Sequence, residues 1–90
     1  MRDSFRLRII GPDGAVFDGD AIQISLTGAE GSLSVRPGHV PLVTTTKAGV
    51  CRVWEATNGG ISDFDCGDGL LSVASDSVTL AAVSVSPKKE

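Results

Sequence analysis

An all-β sandwich or flattened barrel of roughly eight to ten short strands is the architecture to expect from this chain. Apolar and polar residues alternate with period two in segment after segment, turn-forming residues recur between those segments, and no stretch carries a long apolar stripe of helical period. Phe5, Leu7 and Ile9 alternate with Arg6 and Arg8; Ile22, Ile24 and Leu26 alternate with Gln23 and Ser25; Leu33 and Val35 stand among Ser32, Ser34 and Arg36. Leu71 and Val73 flank Ser72, and Val78 and Leu80 flank Thr79. Each reads as a half-buried strand with its apolar side on a core. Turns are expected at Gly11–Pro12–Asp13–Gly14, Asp18–Gly19–Asp20, Gly28–Ala29–Glu30–Gly31, Pro37–Gly38, Ala48–Gly49, Asn58–Gly59–Gly60, Gly67–Asp68–Gly69 and Ser75–Asp76–Ser77.

One hairpin has an expected register. Asn58–Gly59 suits a two-residue type I′ turn, which would set Val53 opposite Phe64 and Cys51 opposite Cys66 on one face. The other face would then oppose Arg52 to Asp65 and Trp54 to Asp63, so that apolar meets apolar and plus meets minus. A looser turn that also uses Gly60 is the competing arrangement. Two segments lack alternation: Val40–Pro41–Leu42–Val43 is continuously apolar, and Leu80 to Val85 is apolar on both sides. Either a loop lies over their outer faces or those faces dock a partner. Arg6 and Arg8 would be a polar rim to such a patch, or a solvated face.

Ninety residues allow one domain with one core, expected over residues 1–85 with a polar, disordered tail at 86–90. Eight basic residues against eleven acidic give a net charge of −3, which leaves little counterion release to drive nucleic-acid binding. No apolar run is long enough to cross a bilayer and the first residues lead straight into an alternating segment, so a soluble cytosolic chain with two reduced cysteines is expected. Catalytic readings lack residues. There is one histidine, His39, no Gly-x-Ser-x-Gly elbow and no phosphate-cradling Gly-x-x-x-x-Gly-Lys loop. Cys51, Cys66 and His39 fall short of the four ligands of a structural zinc, and Asp63, Asp65 and Asp68 match no EF-hand spacing. With Trp54, that acidic cluster motivates a second reading, a free-standing β-sandwich module that binds carbohydrate or calcium. In Arg36–Pro37–Gly38–His39–Val40–Pro41, Pro37–Gly38 fits a type II turn and Pro41 holds the next segment extended. This is a stiff connection between strands or a preorganised binding loop.

The run Gly28–Ala29–Glu30–Gly31–Ser32–Leu33–Ser34–Val35–Arg36–Pro37–Gly38–His39–Val40–Pro41–Leu42–Val43–Thr44 closely resembles the segment G-x-E-G-x-x-x-x-x-P-G-H-x-P-L-[LV]-T of the epsilon subunits of bacterial F-type ATP synthases. Leu7 to Phe17 resembles that family's opening hairpin, and Gly49–Val50–Cys51–Arg52–Val53 its G-x-x-R-[IV] strand. Gly67–Asp68–Gly69–Leu70–Leu71–Ser72–Val73 and Val78–Thr79–Leu80–Ala81–Ala82 resemble the two strands that follow, so the likeness runs from about residue 5 to 83. It implies the family's amino-terminal domain, a flattened sandwich of ten strands at the foot of the central stalk. The implied role is mechanical and non-catalytic, with no cofactor. The domain would join the gamma subunit to the c-ring so that proton-driven rotation reaches the catalytic alpha/beta head, from the cytoplasmic side of the bacterial inner membrane and without inserting into it. Carried over position by position, Glu30, Gly31, Ser32, Pro37, Gly38 and His39 would face the c-ring, and Gly11, Leu42 and Thr44 would lie against gamma. Ser32 departs from the second acidic residue of many relatives and Asp68 from a glycine. The helical hairpin that commonly follows in the family, and that restrains ATP hydrolysis or binds ATP there, has no counterpart in these ninety residues.

Overall fold

The computed structural model describes Asp3–Lys88, which form nine strands. These are β1 (Phe5–Gly11), β2 (Gly14–Gly28), β3 (Gly31–Val35), β4 (Leu42–Thr46), β5 (Gly49–Glu55), β6 (Ile61–Cys66), β7 (Gly69–Val73), β8 (Ser77–Ala82) and β9 (Val85–Pro87). They join in one continuous sheet, β1-β8-β7-β4-β2-β5-β6-β9, with β3 added to β2. Because β1 also pairs with β2, the sheet closes on itself over half its width. All pairings are antiparallel except β1 with β8. The count is nine where the resemblance implies ten, because β2 does the work of two strands.

At 15 residues β2 is the longest element, and it changes partners along its length. Its first half runs beside β1, from Gly11↔Gly14 to Phe5↔Ala21. Beyond that it pairs with β3 from Ile24↔Val35 to Gly28↔Gly31, with β5 from Ala21↔Glu55 to Ser25↔Arg52, and with Thr46 of β4 through Gly28. The register shifts between Ala21 and Gln23, as at a bulge, which lets a strand bend from one layer of a sandwich into the other. The shift also exchanges the faces. Ala21 is buried and Ile22 is 43% exposed, whereas Ile24 and Leu26 are buried, so Ile22 does not share their face as simple alternation predicts.

Phe5, Leu7 and Ile9 of β1, Leu71 and Val73 of β7, and Val78 and Leu80 of β8 are buried as their alternation predicts, with Val35, Cys51, Val53 and Phe64 completing the core. Phe17 packs edge-on to Phe64, ring centroids 6.2 Å apart. Removing side chains of this size from water is the main stabilising term, about 25 cal/mol per Å² of apolar surface.

Three further sequence expectations change. Asp18–Gly19–Asp20 is not a turn: it lies inside β2, where Arg6, Leu7 and Arg8 pair with Asp20, Gly19 and Asp18. Asp18 is held there by charge, 2.7 Å from Arg6 Nη2 and 3.8 Å from Arg8 Nε, and the Phe17 ring covers bare Gly19, 3.6 Å from where a Cβ would stand. The β5–β6 hairpin is longer than Asn58–Gly59 alone. Glu55 N donates to Gly60 O at 2.9 Å, and the register runs through Arg52↔Asp63 and Cys51↔Phe64. Gly59 has φ +69 but Asn58 does not take the positive φ of a type I′ turn; its Oδ1 instead accepts from Gly60 N at 2.8 Å. A slip of two residues keeps every side chain on its expected face and changes only its partner. The folded chain also runs past residue 85: Ser86 and Pro87 pair with Asp65 and Phe64 in β9, and Lys88 N donates to Asp63 O at 2.8 Å, while the last two residues of the expected tail lie outside the described residues.

Val53 is 0% exposed and faces the core from the middle of β5. Val53→Asp is expected to abolish the cooperative thermal transition followed by circular dichroism, because an unpaired buried charge costs about 3–5 kcal/mol, comparable to the whole stability of a small domain. A melt within a few degrees of wild type would mean that β5 is not seated as described.

Candidate functional site

The register aligns an apolar row on the outer face of the β1-β8-β7-β4 layer. Ile10 pairs with Ala81, Ala81 with Leu70, and Leu70 with Thr45. The next row, Arg8, Thr79, Ser72 and Val43, is mostly polar. Ile10, Gly11, Pro12, Leu70, Ala81 and Val83 line a shallow groove of about 360 Å³ at one end of the layer, with Asp68 at its margin. Val83 is 70% exposed, Val43 66% and Leu70 46%. So both segments without alternation leave apolar side chains facing outward, the arrangement of a docking face. Gly69 forms the groove floor by necessity, since a Cβ there would stand 2.2 Å from Ala81 O. Asp68 has a local task, its Oδ1 accepting from Ala48 N at 2.9 Å. Arg6 and Arg8 point outward beside the groove but are engaged by Asp18.

The residues that the resemblance assigns to two partners fall into three places. The Gly28–Gly31 turn ends the β2–β3 hairpin, with Gly31 at φ +123 and Glu30 exposed. Gly28 pairs with both Gly31 and Thr46, so this turn sits at the end of β4 that Thr46 occupies. The Pro37–Gly38 turn instead joins the far ends of β3 and β4. His39 N donates to Arg36 O at 3.1 Å and Gly38 has φ +83, the type II geometry expected of Pro-Gly. His39 Nδ1 lies 2.8 Å from Val40 O and, since a carbonyl only accepts, carries a proton there. Glu30, Gly31 and Ser32 are thus separated from Pro37, Gly38 and His39 by the length of β4, about 13 Å at the usual rise of a strand.

Gly11, Leu42 and Thr44 are not together either. Gly11 borders the groove, and a Cβ on it would stand 3.5 Å from Val85 Cβ. Leu42 and Thr44 are half-buried and turn away from the outer face, lining a cleft of about 250 Å³ with Leu33 and the Gly28–Ser32 turn. Between them Val43 projects outward. Val43, Ile10, Leu70 and Val83 are the outer-face residues that the sequence reading did not single out individually. The signal for three of them was available in the apolar runs at 40–43 and 80–85 and in the Leu70–Leu71 doublet.

The acidic cluster does not converge. Asp63 takes a two-pronged contact from Arg52, Nε to Oδ1 at 2.8 Å and Nη2 to Oδ2 at 3.0 Å, Asp68 is bound to Ala48 N, and Asp65 is exposed on the outer side of β6. Among the described residues no group of three or more His, Cys, Asp or Glu side chains is placed to hold a metal ion. The calcium-module reading thereby loses the observation that motivated it. Among the described residues no helix is long and apolar enough to cross a membrane.

Comparison with known proteins follows the same line. The model of the ATP synthase, Delta/Epsilon chain, beta-sandwich domain matches residues 4–88. The chain is 39% identical over 77 residues to the ATP synthase epsilon chain of Prochlorococcus marinus (strain MIT 9303), covering 86% of this chain and 56% of that one. It is 30% identical over 87 residues to the ATP synthase epsilon chain of Desulfitobacterium hafniense (strain DSM 10664 / DCB-2), covering 97% and 64%. The chain therefore spans between about half and two thirds of the length of these curated relatives. Among solved structures, a chain of the Euglena gracilis mitochondrial ATP synthase (OSCP/F1/c-ring in rotational state 1) shares the fold at TM-score 0.87 and 20% identity, over 97% of this chain and 55% of that one. A chain of the Tetrahymena thermophila mitochondrial ATP synthase central stalk/c-ring shares it at TM-score 0.72 and 18% identity, over 91% and 65%.

The Arg52 guanidinium, through its hydrogen bonds first and its charge as well, holds the Asp63 carboxyl below the usual carboxylate range. A carboxyl lowered by folding contributes stability that is present above its unfolded pKa, near pH 4, and is lost as pH falls through the folded value. Arg52→Gln is therefore expected to be less stable than wild type in urea at pH 7. The difference should shrink as pH falls through the lowered Asp63 value, below which both chains carry a protonated Asp63. An equal difference above and below that value would assign the effect to packing of the arginine stem.

Proposed function

The chain belongs to the family of ATP synthase Delta/Epsilon chain beta-sandwich domains, and on that basis we propose that it is a non-catalytic rotor subunit of an F-type ATP synthase. It would link gamma to the c-ring, so that ion-driven rotation of the ring reaches the catalytic head. The observation that carries the reading is the open apolar groove of Ile10, Pro12, Leu70, Ala81 and Val83 on a sandwich whose interior is filled by side chains. A surface of this kind suits attachment to a partner, and among the described residues no catalytic constellation lies beside it.

Gamma takes the groove in this proposal, with Gly11 at its rim. Leu42 and Thr44 come within gamma's reach only if gamma also enters the cleft between β3 and β4. The c-ring takes the exposed Glu30, Gly31 and Ser32 turn as its polar contact. Pro37, Gly38 and His39 reach the same ring only along the length of β4, a span that a circle of repeated loops can cover and a single side chain cannot. The site of action is the cytoplasmic side of the membrane, peripheral to the bilayer.

Size-exclusion chromatography and calorimetry with the gamma subunit of the same organism test this directly, a one-to-one complex being expected. Leu70→Asp and Val83→Asp should each weaken that complex roughly 30-fold or more, the scale of an interface hot spot, with the melting temperature unchanged. Wild-type affinity in both variants would move the gamma interface off this groove. Glu30→Lys should leave gamma binding intact and reduce retention of the ring on the reconstituted stalk. If it weakens gamma instead, the two surfaces are exchanged.

A further inference from the structure

Two strand edges of the sheet are built differently. β9, the last strand of the path, carries Pro87 and is followed by Lys88, residues that blunt an edge against further pairing. β3 is not blunted. It pairs with β2 alone, and between Gly31 and Val35 it holds neither a proline nor a charge. The orientation of its outer edge follows from Thr27, whose carbonyl accepts from Lys47 N at 2.9 Å and so points away from β3. Opposed residues of an antiparallel pair turn their backbone groups either toward each other or both away. Ser32, opposite Thr27, therefore turns its N–H and C=O to the free edge, and Ser34 does the same by alternation.

We propose that this edge pairs with the same edge of a second copy of the chain, as an antiparallel β3–β3 dimer with Leu33 on the two-fold axis. The charges select both the occupant and the register. Glu30, Ser32, Ser34 and Arg36 are exposed, and alternation puts them on one face. Neither Glu30 nor Arg36 has an oppositely charged partner among the described residues; Arg36 Nε donates to Gln23 Oε1 at 3.2 Å. Centring the pair on Leu33 sets Glu30 of each copy opposite Arg36 of the other, one such contact at each end of the ladder. Ser32 then opposes Ser34 of the other copy, and because both face the free edge they exchange hydrogen bonds. A slip of two residues keeps outward groups opposed but sets Glu30 against Ser34 or Gly38, so both ion pairs are lost.

The inner face complements itself as well. Leu33 is half-buried and lines the cleft of about 250 Å³ that it shares with Leu42 and Thr44. Leu33 sits at a position without cross-dimer hydrogen bonds, where opposed side chains come closest, so the two leucines meet and cover the apolar mouths of both clefts. The contact uses the same patch on both copies and closes at two, with no unpaired β3 edge left to extend it. No β3 residue borders the groove of Ile10, Leu70 and Val83, which stays open in the dimer. The Glu30 turn is covered instead, so pairing excludes the ring contact, a consequence that rests on the function proposed above.

Sedimentation equilibrium of the purified chain over a concentration series tests the pairing. A monomer–dimer equilibrium is expected, with a dissociation constant on the order of 100 μM for so short an edge. Glu30→Lys and Arg36→Glu each turn the attractive contacts into repulsive ones and should weaken the dimer about tenfold, with the melting temperature unchanged. An equimolar mixture of the two variants regains opposite charges at both ends and should form a heterodimer of wild-type strength, as should the double variant with itself. Ser34→Pro removes an edge N–H from each copy and should abolish pairing. A wild-type chain that stays monomeric at millimolar concentration overturns the proposal. So does a dimer that both charge variants leave intact, which would put the contact on another face, or a mixture no stronger than its components, which would exclude this register.

Discussion

The fold depends on one strand that belongs to both of its layers. β2 pairs with β1, β3, β4 and β5, and it can do so only because it bends at the shift between Ala21 and Gln23. Before the bend its inward positions face one half of the core; beyond it, Ile24 and Leu26 face the other. Were β2 straight, the β3-β5-β6-β9 side could not fold over the β1-β8-β7-β4 side, and the fourteen buried apolar residues would form two open faces instead of one core. A second set of constraints follows. β1 must pair on one side with the start of β2 and on the other, in parallel, with β8 near the opposite end of the chain. These contacts are distant in sequence, so the core is assembled by the whole domain at once.

Much of this architecture is legible in residue alternation, because period two and burial on one face are the same fact. Phe5-Leu7-Ile9, Leu71-Val73 and Val78-Leu80 show it plainly. What alternation hides is a change of phase. Nothing local in Ala21–Ile22–Gln23 announces that the inward set moves by one there, since the bulge is imposed by the partners on both edges of β2. The same holds for Asp18–Gly19–Asp20. Its composition belongs to turns, yet two arginines across the ladder and a phenylalanine ring over the glycine make extended backbone the better state. Tertiary partners override turn propensity there.

The hairpin from β5 to β6 shows how far sequence can go. Face assignment rests on parity, and parity survives a slip of two, so Arg52 still meets an aspartate, Asp63 in place of Asp65, while Cys51 meets Phe64 in place of Cys66. Partner assignment rests on turn length, which depends on whether Asn58 adopts positive φ or caps Gly60 with its side chain; both are ordinary for asparagine. The surface is read less well for a related reason. A motif gives residues in chain order, whereas a contact face collects them across strands. Gly28–Ser32 and Pro37–His39 are adjacent in sequence and lie at opposite ends of β4, while Ile10, Leu70 and Ala81 are far apart in sequence and form one row.

The distribution of stiffness fits a mechanical part. Of the two turns that the resemblance singles out, the one at 36–41 carries proline at 37 and 41, which has little conformational freedom to lose, and glycine supplies the positive φ that each turn needs, at 31 and 38. Between them run strands whose inner faces are tied to a common core. A load applied at the Glu30 turn passes through Gly28 into β2 and β4, and β4 passes it to β7 and β8, which carry the groove. The path consists of ladder hydrogen bonds and packed side chains, with no flexible linker in it. A domain built this way gains nothing from an internal pocket, whose void would soften the connection between its two surfaces. The packed core thus keeps the groove and the Glu30 turn at a fixed distance and orientation.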